Sequence, residues 1–146
     1  MLQDITNYLE ISPLLGTAGQ PAREQFTAIK EAGYDVVINL LPSPNTLPDE
    51  QALVTGLGLD YINIPVIWQQ PTPANLDDFF QAMRANQGRK VFVHCAMNMR
   101  VSAFVYLYRV LVQGEPAETA KRSLKEIWEP DSTWQAFIDS RMRDEE

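Results

Sequence analysis

Val91-Phe92-Val93-His94-Cys95-Ala96-Met97-Asn98-Met99-Arg100-Val101-Ser102 sets the chain's single histidine beside its single cysteine at the end of an apolar run. An arginine follows five positions after the cysteine. A short apolar run of this kind reads as a buried strand that delivers the thiol into a tight loop, from which a helix departs. Backbone N–H groups of such a loop and the positive end of the helix converge on an anion site. A thiolate beside that site suits nucleophilic attack on an anionic substrate. Cys95 is therefore the expected nucleophile. Arg100 and the amides of Ala96, Met97, Asn98, Met99, Arg100 and Val101 are the expected oxyanion binders. An arginine at a helix start opposes the helix dipole, which an anionic partner would offset.

Outward from this run, strand and helix patterns alternate, which predicts an α/β fold with a mostly parallel sheet covered on both faces. Pro21 opens a helix with Ala22, Phe26 and Ile29 on one face, and Gly33 closes it. Val36 to Leu40 reads as a buried parallel strand, Pro42-Ser43-Pro44-Asn45 as a loop, and Pro48 to Leu57 as a short helix with Gly56 and Gly58 as stop signals. Tyr61 to Ile64 is the next strand. Thr72-Pro73 starts a helix whose Leu76, Phe79, Phe80 and Met83 share one face, closing near Gly88. Beyond Arg100, Ser102 to Val112 is apolar nearly all round and predicts a central buried helix. Pro116 to Trp128 and Asp131 to about Met142 read as amphipathic helices over one side of the sheet, with Asp131 as an N-cap.

Composition fits one soluble globular domain over residues 1–146: 45% of the residues are hydrophobic and 21% charged. A net charge of −7 and a pI near 4.7 argue against nucleic acid or an anionic membrane as the main partner. The expected partner is an anionic small molecule, bound in a local positive pocket. One cysteine excludes an internal disulfide, and no stretch is long or apolar enough to span a bilayer. With one histidine and one cysteine there is little basis for metal ligation, and no cofactor is expected. Met1-Leu2-Gln3-Asp4 carries neither a basic n-region nor an apolar h-region, so the cytoplasm is the default expectation, although a leader already removed would leave no trace.

The sequence of apolar strand, His94-Cys95, short loop, Arg100 and Ser102 before a buried helix resembles the signature of protein tyrosine and dual-specificity phosphatases. Gly19-Gln20-Pro21, the helix ending at Gly33, Tyr34-Asp35-Val36-Val37-Ile38-Asn39-Leu40 and Tyr61-Ile62-Asn63-Ile64-Pro65-Val66 extend the likeness. They follow the order of bacterial phosphatase-like proteins formerly grouped as a domain of unknown function, the beta-lactamase-hydrolase-like phosphatase group. The resemblance implies a three-layer α/β/α domain with a sheet of about four or five strands. It also implies that His94 stiffens the loop and helps keep the thiol ionised, and that Ser102 is the hydroxyl following the arginine. Gln20 and Asn39 either face the pocket from neighbouring loops or serve turns. Trp68 packs, on the pocket rim.

Two departures from the family pattern bear on function. The phosphatase loop holds five residues between Cys and Arg, with glycine third, whereas here Ala96, Met97, Asn98 and Met99 alone intervene and Asn98 takes the glycine position. Asn tolerates positive φ better than other non-glycine residues. The Cys-to-Arg spacing equals that of rhodanese-like sulfurtransferases, so sulfur transfer through a Cys95 persulfide is an alternative. The second departure is the general acid, an aspartate about thirty residues before the cysteine in the family. Here Pro65-Val66-Ile67-Trp68 stands in that place, and Ile67 donates no proton. Asp77 and Asp78 lie on a helix beyond it. A catalytically weak anion- or phosphoprotein-binding module is the third reading.

Overall fold

The run before the cysteine forms the middle strand of a five-stranded sheet in the computed structural model, which describes residues 1–42 and 47–144. The strands are β1 (Leu9–Ser12), β2 (Leu15–Ala18), β3 (Val36–Asn39), β4 (Asp60–Asn63) and β5 (Val91–His94), in the order β1-β2-β5-β3-β4. Only β1 runs antiparallel, to β2; the other pairs are parallel. Fully buried β2, β3 and β5 explain why Val36 to Asn39 and Val91 to His94 carry no polar–apolar alternation.

Alternation still decides which face each side chain takes. Val36, Ile38, Val91 and Val93 join one core cluster, with Phe79, Phe104, Leu107 and Trp134 from helices α3 (Pro73–Ala85), α4 (Met99–Leu111) and α6 (Ser132–Asp144). Helix α5 (Ala117–Ile127) adds Ala120 and Leu124 to the same side. Val37 and Phe92 belong to the other cluster, with Phe26 and Ile29 from α1 (Gln25–Glu31) and Val54 from α2 (Glu50–Gly56). The sheet is thus sandwiched between two helical layers. Complete burial of Phe92 and Phe104 contributes about 3 kcal/mol each.

Helix α3 follows its sequence signals closely. Thr72 Oγ1 accepts from Asn75 N at 3.1 Å, Asn75 Oδ1 accepts from Thr72 N at 3.2 Å, and Pro73 occupies the first turn. Helix α1 begins later than Pro21 predicts, because Gln25 Oε1 accepts from Ala22 N at 2.8 Å and leaves Ala22 exposed before the first turn. Helix α4 begins three residues before the expected Ser102, at Met99, and so takes Arg100 into its first turn. The hairpin of β1 and β2 was not marked by the sequence. Of the expected loop Pro42-Ser43-Pro44-Asn45, the last three residues lie outside the described residues. Among the described residues no helix is long and apolar enough to cross a membrane.

Candidate active site

Parallel register brings the carboxyl ends of four strands level, with Ala18 and Asn39 both beside His94 and Asn63 beside Asn39. Ligand sites of α/β sheets open at this edge. The chain leaves β5 through Cys95 and turns into α4 over Ala96, Met97 and Asn98. Asn98 makes the turn in the left-handed region, φ 66°, and its carbonyl accepts the first α-helical bond, from Ser102 N at 2.9 Å. The glycine position of the resembled loop is therefore filled by an asparagine in the conformation that glycine would supply. Asn98 Nδ2 locks it by donating to Asn7 O at 2.9 Å and Thr17 Oγ1 at 3.1 Å.

Three successive loop carbonyls are anchored from outside. Cys95 O faces His94 Nδ1 at 3.2 Å, Ala96 O accepts from Gln20 N at 3.0 Å, and Met97 O accepts from Asn7 Nδ2 at 3.0 Å. In a trans peptide the N–H points opposite to the C=O, so the Ala96 and Met97 amides are turned away from His94 and Gln20. The amides of Ala96, Met97, Met99, Arg100 and Val101 have no hydrogen-bond partner among the described residues. Gly19 permits this close approach: a Cβ there would lie 2.4 Å from Ala96 O.

Arg100 reaches back over the loop. Its Nε donates to Val66 O at 2.9 Å, and the guanidinium carbon sits 5.2 Å from the Trp68 ring centroid. Burial pushes the guanidinium below its ordinary value, opposed by its attraction to Cys95, so a permanently cationic group stands beside the buried thiol. A cleft of about 590 Å³ is lined by Leu41, Pro42, Ile67, Trp68, Ala96 and Arg100. Its wall is held from behind, because Trp134 Nε1 donates to Trp68 O at 2.9 Å and Trp128 and Trp134 pack on the Trp68 ring at 5.4 Å.

Strand alternation sends His94 to the face opposite Val93, toward α1 and α2. There its Nε2 meets Glu50 Oε2 at 2.7 Å, both side chains being buried. Asn39 Nδ2 at 3.1 Å and the Tyr61 hydroxyl at 3.0 Å donate to the same oxygen, and Gln20 Nε2 donates to Oε1 at 2.8 Å. Burial raises the Glu50 carboxyl, but hydrogen bonds from His94, Gln20 and Tyr61 and the attraction of His94 outweigh it and hold Glu50 below its ordinary 4.5. A depressed carboxyl contributes stability above its unfolded value and loses it as the pH falls through the folded one. The melting temperature should therefore drop on acidification below about pH 4.5, and less steeply in Glu50→Gln, as a pH series of thermal melts would record.

The structure brings His94, Cys95, Arg100 and the loop together and corrects other placements. Gln20 and Asn39 do not line the cleft; they bind Glu50 behind the loop, because their side chains share the His94 face. Ser102 Oγ donates to Met99 O at 2.9 Å and accepts from Trp128 Nε1 at 3.0 Å, so these hydrogen bonds tie it to α4 and the tryptophan cluster. Ile67 lines the cleft and is 49% exposed where the family places an acid, while Asp77 and Asp78 sit on the solvent side of α3. Asp131 caps α6, its Oδ1 accepting from Trp134 N at 2.9 Å. Met97 is exposed beside the cleft, and among the described residues no group of potential ligands could hold a metal ion.

A family model described as PTP-NADK, a DSP-PTPase phosphatase fused to NAD+ kinase, matches residues 5–140. The chain belongs to the DSP-PTPase phosphatase family. Its DUF442 relative from Shewanella putrefaciens CN-32 is 38% identical with a TM-score of 0.89, over 98% of this chain and 95% of that one. The beta-lactamase hydrolase-like protein of Xylella fastidiosa strain Temecula1 is 32% identical over 108 residues, 70% of this chain. This DSP-PTPase chain spans only 25% of that relative's length. The P. aeruginosa TpbA structure in complex with phosphotyrosine shares the fold at 16% identity and a TM-score of 0.72, over 95% of this chain and 90% of that one.

Proposed function

We propose that the chain is a cysteine-dependent phosphatase that hydrolyses phosphate monoesters through a cysteinyl-phosphate. The observation that carries this reading is the convergence of the Cys95 thiol, loop amides with no partner among the described residues and the Arg100 guanidinium at the start of α4. Amides and guanidinium bind the phosphoryl oxygens, whose charge grows in the transition state. The Cys95 thiolate attacks phosphorus, the P–O ester bond breaks, and the leaving oxygen departs with the electron pair. Water then attacks phosphorus, the P–S bond breaks, and inorganic phosphate leaves as the thiolate returns. Residues 1–146 act as one domain in this account, with no metal or cofactor.

Ile67 in the cleft determines the expected substrate preference. With no carboxyl at that place, a leaving alkoxide must take its proton from water, whereas a phenolate leaves without one. Binding of phosphotyrosine by TpbA is consistent with an aryl ester as substrate. Turnover of p-nitrophenyl phosphate should exceed that of an alkyl phosphate by on the order of 10²-fold or more, and Ile67→Asp should narrow the gap. Equal rates on both esters in the unaltered protein would show that another group supplies the proton.

The four-residue spacing between Cys95 and Arg100 favours a second reading, rhodanese-like sulfur transfer. Thiosulfate and cyanide supplied to the same preparation separate the two: thiocyanate formation without phosphate release would displace the phosphatase reading. Anion binding with neither activity would leave a binding module.

A further inference from the structure

We propose that Glu50 is a positioning residue of the Cys95 loop: acting through His94, it fixes the Cys95 carbonyl and thereby aims the Ala96 N–H at the bound anion. The proposal rests on the reading of this loop as an anion site. Both nitrogens of the His94 ring meet acceptors, Glu50 Oε2 at 2.7 Å and Cys95 O at 3.2 Å. A neutral imidazole has one N–H and satisfies only one of them; the imidazolium satisfies both. Glu50 Oε2 takes the Nε2 side of the buried ring and so holds it with Nδ1 turned to the Cys95 carbonyl.

The carboxylate is itself immobilised by donors from separate elements: Asn39 on β3, Tyr61 on β4 and Gln20 after β2. Among the described residues the titratable group in contact with the pair is Tyr61 from β4; α1 presents the uncharged Phe26 ring, 6.1 Å from the imidazole. With the proton lost from Nδ1, its lone pair would face the Cys95 carbonyl and the peptide would no longer be held. Rotation of that peptide turns the Ala96 N–H with it.

Because His94 is the sole histidine, its ring nitrogens can be assigned directly by NMR. In the unaltered protein Nδ1 should carry a proton, and an unprotonated Nδ1 would overturn the proposal without any variant. In Glu50→Gln, tungstate affinity measured by calorimetry should weaken roughly tenfold. His94→Ala should weaken it similarly, and adding Glu50→Gln to His94→Ala should change little further. Full additivity of the two losses, or unchanged tungstate affinity in Glu50→Gln, would overturn the proposal. Tungstate binding without aryl phosphate turnover would defeat the phosphatase reading and leave the positioning role standing. Normal turnover in Glu50→Gln would do the reverse.

Discussion

Cys95→Ser protein is expected to lose aryl phosphate hydrolysis by on the order of 10⁴-fold or more while still binding tungstate. A serine hydroxyl is nearly the size of the thiol but does not ionise at neutral pH, so the nucleophile goes and the cradle stays. The anchors of the cradle lie elsewhere: Gln20 N on Ala96 O, Asn7 Nδ2 on Met97 O, and Asn98 Nδ2 on Thr17. Phosphate release from p-nitrophenyl phosphate, beside tungstate calorimetry on the same sample, measures the two quantities separately. Persisting turnover would move the nucleophile away from Cys95.

Arg100→Ala should cost on the order of 10²- to 10³-fold in kcat/KM, because it removes a charged donor from oxygens whose charge grows during phosphoryl transfer. The change also leaves Val66 O without its Nε donor and uncovers the Trp68 ring. Arg100→Lys separates these effects, since lysine keeps the charge but cannot hold the Val66 carbonyl and present a planar fork together. The lysine variant should fall between the other two in both tungstate affinity and turnover. Equal affinity in all three would remove Arg100 from the site.

Much of this arrangement is legible in the sequence because it is local. Apolar spacing located α3 and its buried Leu76, Phe79, Phe80 and Met83, and Asn98 is a residue that accepts the left-handed turn. The N-terminal hairpin was hidden for a physical reason. Leu15-Gly16-Thr17-Ala18 is buried without being strongly apolar, and small residues there admit neighbours such as the Tyr34 ring, which a Cβ on Gly16 would strike. The apolar run from Ser102 sets the expected helix start just beyond Arg100, whereas Asn98 ends the loop early and the helix takes Arg100 into its first turn.

Glu50 was invisible for a different reason. An acidic residue in a first helical turn complements the dipole and ordinarily faces water, as the neighbouring Asp49 does in its exposed pair with Arg23. Nothing in Asp49-Glu50-Gln51 separates the buried carboxylate from the exposed one. The one available signal lay in β5: alternation puts His94 on the Phe92 face, away from Val93, so a polar ring at the buried end of that strand requires a polar partner from α1 or α2. The same parity explains why Asn39 and Gln20 lie behind the loop and not in the cleft.

The most direct test of the account is to trap the covalent intermediate. Protein mixed with an aryl phosphate and quenched in acid within the first turnover should carry one phosphoryl group, on Cys95, with a matching burst of phenol and no modification in Cys95→Ser. Turnover that releases phenol and phosphate together, with no phosphorylated Cys95 at any time, would contradict it.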